Sequence, residues 1–135
     1  LATRNVLLDD KHTECAIGDF GLARTTATSG AAADEEHMTT STVGPIRWMA
    51  PEQLSGAVAH AQVFSRRTDV YSFGCICYEV LVRRLPWHQL DTLAVLRTVA
   101  HGDGRLRIVP SETDNAFAPH WLVQLAHKCL SRRAA

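Results

Sequence analysis

The chain has 135 residues, 46% hydrophobic and 21% charged, the balance of one globular domain or part of one. Its 14 basic and 14 acidic side chains cancel, so no net field draws in nucleic acid or an anionic membrane surface, and neither partner is expected. No window approaches the ~20 consecutive apolar residues of a membrane span, and no basic-then-apolar leader stands at the start. Cys15, Cys75, Cys77 and Cys129 have apolar neighbours, no C-x-x-C pairing and no histidines at zinc spacing. They are expected to be small buried hydrophobes in a reducing compartment.

Residues 1 to 5 read as the tail of a loop. Val6-Leu7-Leu8 and Cys15-Ala16-Ile17 then bracket the polar turn Asp9-Asp10-Lys11-His12-Thr13, the pattern of a small hairpin. Such a hairpin would bring Asn5, at one end, close to Asp19, beyond the other. The stretch Ile17-Gly18-Asp19-Phe20-Gly21 delivers a carboxylate, a large aromatic ring and a glycine in immediate succession. From Leu22 to about Ile46 periodicity disappears among Thr, Ser, Ala and Gly, with the acidic run Asp34-Glu35-Glu36. Composition alone makes this a long functional loop or a linker between two folded pieces.

A short helix is expected from Pro51 to about Leu54, ended by Gly56. Residues 57 to 67 read as loop, with Arg66 and Arg67 solvated. Thr68 is the expected N-cap, and Asp69 the first-turn acid, of a helix running to about Val82. Val70, Tyr71, Phe73, Cys75, Ile76, Cys77, Tyr78, Val80, Leu81 and Val82 cover nearly its whole circumference, which predicts a fully buried helix. Leu85-Pro86-Trp87 breaks it. Asp91 then caps a helix carrying Leu93, Leu96 and Val99 or Ala100 before Gly102. After an irregular stretch, a last helix begins near Pro119 with Trp121, Leu122, Leu125, Ala126 and Cys129 on one stripe.

Three of these stretches stand in register: Asn5, then Asp19-Phe20-Gly21, then Ala50-Pro51-Glu52. In that order and spacing they resemble the catalytic-loop asparagine, metal aspartate and activation-segment end of a protein kinase. The resemblance runs from the first residue nearly to the last, and is to the tyrosine-kinase and tyrosine-kinase-like groups. It implies a mainly α fold: the kinase C-lobe (α+β in the complete domain) with one short β-hairpin before the activation segment. Residues 1–135 would be a partial kinase domain. The glycine-rich loop, the strand lysine with its helix glutamate, and His-Arg-Asp would lie ahead of Leu1, and the extreme C-terminal end beyond Ala135.

The resemblance also implies ATP and Mg²⁺ as cofactors, a protein substrate and a cytoplasmic setting. Phosphoryl transfer needs positioned phosphates, metal ions to neutralise developing charge, and a base beside the attacking oxygen. Asn5 and Asp19 match the metal ligands, and their oxygens suit a hard ion. Phe20 would pack beneath the site and Gly21 would let the backbone turn. Read without the family, Asp19 is a turn aspartate before glycine and Asn5 a loop cap. The family's base falls immediately before Leu1, so the chain by itself is expected to be inactive. A pseudokinase, the same lobe acting as an interaction module, is the rival from another class.

The target hydroxyl is addressed by two further stretches. Leu1-Ala2-Thr3-Arg4-Asn5 resembles a tyrosine-kinase catalytic loop, with Ala2 where serine/threonine kinases usually carry lysine. In Pro45-Ile46-Arg47-Trp48, the expected substrate contact, Pro45 replaces a threonine with a ring that could support a tyrosyl side chain. Against this, no tyrosine lies between Leu22 and Trp48, where Thr25, Thr26, Thr28, Ser29, Thr39, Thr40, Ser41 and Thr42 supply the hydroxyls. Serine/threonine or dual specificity is therefore the alternative. Glu52, Asp69 and Trp87 match structural positions of the family: an ion-pairing glutamate, an acceptor for the catalytic-loop backbone, and an anchor beneath the central helix.

Overall fold

The structure, a computed structural model, describes residues 1–20, 45–55, 65–101, 104–109, 113 and 118–131. Gly21, the expected loop from Leu22 to Gly44, Gly56, the stretch 57 to 64, Gly102, Arg132 and Arg133 lie outside the described residues. The described elements are β1 (Val6–Leu8), β2 (Cys15–Ile17), α1 (Pro51–Ser55), α2 (Arg66–Val82), α3 (Thr92–Ala100) and α4 (His120–Cys129), with 3-10 turns at Thr3–Asn5 and Ile46–Trp48.

The expected hairpin forms, β1 pairing antiparallel with β2 in the register Val6↔Ile17, Leu7↔Ala16, Leu8↔Cys15. Asp9 organises its turn. The carboxylate accepts from the Thr13 N–H at 2.7 Å, the Glu14 N–H at 2.9 Å and the Thr13 hydroxyl at 3.1 Å. These donors, the Glu14 N–H foremost, hold the Asp9 carboxyl below the usual carboxylate range. A depressed folded-state pKa stabilises above the unfolded value and is lost as pH falls through the folded one. The Thr13 and Glu14 amides are therefore expected to stay protected from exchange through the ordinary carboxylate range and to open only at lower pH. Asp9→Asn should remove that acid step, as read by NMR.

Both strands are exposed along most of their length, including Cys15. This corrects the expectation of a buried thiol there: neither strand packs a face into a core cluster among the described residues. Cys75, Cys77 and Cys129 are buried as expected, and burial pushes all three thiols up.

α2 starts before Thr68. Ser65 is the N-cap, and a capping box closes reciprocally: the Thr68 N–H donates to the Ser65 hydroxyl at 3.3 Å, and the Ser65 N–H to the Thr68 hydroxyl at 3.1 Å. Arg66 and Arg67, expected in the loop, form the first turn and stay exposed. The helix is also not buried all round. Cys75, Cys77, Tyr78 and Leu81 face the core, whereas Val70, Phe73 and Val80 are exposed. Its partner on the buried side is α4, which approaches at Gly74: a Cβ added there would lie 2.8 Å from the Cys129 Cβ. Arg83, in the left-handed region at φ 56°, ends the helix by donating its N–H to the Glu79 carbonyl at 2.8 Å.

In α3, Asp91 caps as expected, accepting the Ala94 N–H at 2.7 Å. The buried stripe is Val95 and Val99, while Leu93 is exposed. In α4, Ala126 and Cys129 are buried, but Trp121 and Leu125 of the expected stripe are exposed. Two core clusters result. One joins Ala2 and Trp48 to α2, α4, Leu106 and Ile108, and the other joins Leu54 of α1 to Val95 and Val99 of α3. Trp87, at φ 58°, packs against both. No helix among the described residues is long and apolar enough to cross a membrane.

Candidate active site

Two short turns, far apart in sequence, meet on α2. The first is Thr3–Asn5, closed by the Asn5 N–H donating to the Ala2 carbonyl at 2.9 Å, with Ala2 fully buried. Across the hairpin the Gly18 N–H donates to the Asn5 carbonyl at 2.8 Å. The residue before Asp19 is thereby fixed to the backbone of Asn5. Asp19 is exposed and sits at φ 57°, a left-handed conformation that aspartate tolerates better than most side chains. An amide oxygen and a carboxylate on bonded neighbouring segments are the donor types a hard divalent ion takes. Phe20 does not pack beneath them. It is 69% exposed, since neither core cluster reaches that side of the hairpin.

The second turn follows Pro45 and carries Ile46, Arg47 and Trp48. Arg47 does not face outward as the substrate contact expected of it: its guanidinium donates to the carbonyls of Pro86 (3.1 Å), Trp87 (2.8 Å) and Leu90 (2.8 Å). The planar fork of arginine satisfies three acceptors of one turn at once, and this turn contains the left-handed Trp87. Arg47→Lys keeps the charge but cannot reproduce the fork. It should cost about 1–3 kcal/mol of stability, read by urea unfolding.

Trp48 is buried, and its carbonyl accepts the Ser72 hydroxyl of α2 at 2.8 Å. Over the Trp48 ring lies the Arg4 guanidinium, 6.0 Å from the centroid, within cation–π reach. The two turns thus touch directly. Pro45 and Ile46 are partly exposed beside them.

The remaining sequence-selected residues are placed as follows. Asp69 stands exposed in the first turn of α2 and, among the described residues, receives no hydrogen bond from the 1–5 segment, the part of the expected catalytic loop that this chain contains. A separate tie joins that segment to α2 at Glu79, whose carboxylate accepts the Thr3 hydroxyl. Glu52 is exposed on the rim of a cleft of about 590 Å³ that Arg67 and Arg105 also line. Sequence reading missed Ser72 and Glu79. Both were visible as polar residues within an otherwise apolar helix, but nothing in sequence said which loop each would reach.

The chain belongs to the protein tyrosine and serine/threonine kinase family, whose model matches residues 1–134. Among curated relatives, human "Mitogen-activated protein kinase kinase kinase 11" is 38% identical over 127 residues, 87% of this chain and 13% of that protein. "Tyrosine kinase receptor Cad96Ca" of Drosophila melanogaster is 36% identical over 103 residues, 76% of this chain and 12% of that protein. "Dual specificity protein kinase pyk3" of Dictyostelium discoideum is 33% identical over 129 residues, 96% of this chain and 8% of that protein. The chain spans 8% to 29% of the length of the curated relatives it matches.

Proposed function

We propose that the chain is the larger-lobe part of a longer protein kinase that moves the γ-phosphate of ATP to a protein hydroxyl, tyrosine above all. The observation that supports this reading is the backbone bond from the Gly18 N–H to the Asn5 carbonyl, which ties the segment bearing Asn5 to the residue before Asp19. These two residues would hold magnesium, which when bound neutralises charge on the transferring phosphate. Trp48 and Pro45 would orient the incoming side chain, Trp48 fixed by Ser72 and Arg4.

Tyrosine is favoured by Ala2 and Pro45. Ala2 is fully buried, so a lysine there could not reach solvent without displacing its neighbours, and Pro45 offers no hydroxyl to a catalytic loop. Dual specificity is the second reading, favoured by the likeness to pyk3 across nearly the whole chain. The test is transfer of labelled phosphate by the full-length protein, followed by phosphoamino-acid analysis. Phosphotyrosine supports the first reading. Phosphoserine and phosphothreonine alone overturn the tyrosine preference, and nucleotide binding without transfer overturns the kinase reading in favour of a pseudokinase.

A further inference from the structure

We propose that Glu79 is a positioning residue for this site, reached through Thr3. The proposal rests on the kinase reading for its catalytic consequence, and on geometry alone for the anchor. The Glu79 carboxylate is partly buried in the middle of an apolar run, between buried Tyr78 and exposed Val80. A carboxylate in such a place costs stability unless it is hydrogen-bonded, and its partner is the Thr3 hydroxyl. Thr3 opens the turn that ends in Asn5.

Helical geometry extends the argument. Ser72 and Glu79 are two turns apart on α2, hence on one face, about 10 Å from each other along the axis. Ser72 holds the substrate-side turn through the Trp48 carbonyl. Glu79 holds the metal-side turn through Thr3. Arg4, next to Thr3, closes the circuit by lying over the Trp48 ring. One helix face therefore sets the spacing between the residues that would hold the metal and those that would hold the substrate. Loss of the Thr3–Glu79 bond leaves both turns present but lets the Asn5 turn drift from its register with Asp19.

The test uses the full-length protein carrying Thr3→Val, Thr3→Ser, Glu79→Ala, Glu79→Gln and the Thr3→Val/Glu79→Ala pair. Thr3→Val and Glu79→Ala should each lower kcat by about tenfold to a hundredfold, the range of a hydrogen bond to a charged group. KM for ATP should stay nearly unchanged. Thr3→Ser and Glu79→Gln, which keep a donor and an acceptor, should restore most of kcat, and the pair should lose no more than its worse single member. A residue that served stability alone would lower Tm without this split or this rescue. Hydrogen exchange at the Gly18 N–H, which reports the Asn5 bond independently of catalysis, should quicken in Thr3→Val, in Glu79→Ala and in their pair, but not in Thr3→Ser or Glu79→Gln. Unchanged exchange in both, or full kcat in Thr3→Val, overturns the proposal. A wild-type protein that transfers no phosphate but shows the exchange pattern refutes the kinase reading and leaves the anchor standing.

Discussion

On the proposed function, Asp19→Asn is expected to lower kcat of the full-length protein on the order of 10²–10³-fold, the loss typical when one charge-stabilising group is removed from a reacting centre. The substitution is nearly isosteric. Asparagine adopts the left-handed conformation seen at Asp19, φ 57°, as readily as aspartate does, so the hairpin and its bond from Gly18 to Asn5 should persist. What changes is charge: a neutral amide holds a hard cation far less well than a carboxylate. An unchanged melting temperature with collapsed kcat at saturating Mg²⁺ is the expected pair of results. If kcat survives, Asp19 is only a turn residue, and the match to the family's metal aspartate is formal.

The largest stability effect is expected at Gly74. A Cβ built there lies 2.8 Å from the Cys129 Cβ and 3.0 and 3.1 Å from two atoms of the Leu130 side chain. Leu130 can turn, but a Cβ cannot move without its helix. Against this stands the gain from replacing a helical glycine, less than about 1 kcal/mol. Overpacking costs about 1–3 kcal/mol and grows with the added volume, so the clash wins. Gly74→Val should destabilise by about 2–3 kcal/mol in urea unfolding, and Gly74→Ala by less. Cys129→Ala retains the offending Cβ and should give no relief in combination with Gly74→Val. Full relief would place the close approach elsewhere.

Much of the fold was legible because it rests on local signals. Alternating short apolar runs around a polar turn gave the hairpin, Asp91 marked the start of α3, and Pro119 lies at the start of α4. The errors came where two local signals competed or where tertiary contact decided. Ser65 and Thr68 both suit an N-cap, and the reciprocal bond between them makes Ser65 the cap and Thr68 its partner inside the helix. An apolar circumference could not say which side of α2 would meet α4, and Gly74, the position that admits the close approach, carried no such mark in sequence. The candidate site divides in the same way. Asn5 and Asp19 could be paired from the hairpin alone, because few residues separate them from its strands. Arg47 read as a substrate contact because it stands within the stretch that resembles the tyrosine-kinase activation-segment end, whereas its three acceptors lie on a turn some forty residues later, out of reach of any local signal. Glu79 went unread for the same reason, since only the packed structure brings the Thr3 turn to that level of the helix.

The core cluster that buries Ala2 also buries Leu130. On the ribosome, where residues emerge at roughly 5–20 per second, the hairpin can close as soon as it leaves the exit tunnel, but the Thr3 turn lacks its anchor until Glu79 of α2 has been made, and the core cluster around Ala2 is complete only with α4 and Leu130. Asn5 and Asp19 are thus brought together early and seated late. During that interval the nascent protein holds the segments of its two candidate metal ligands together with no helix beneath them, and the interval ends when Glu79, some seventy residues later, reaches Thr3.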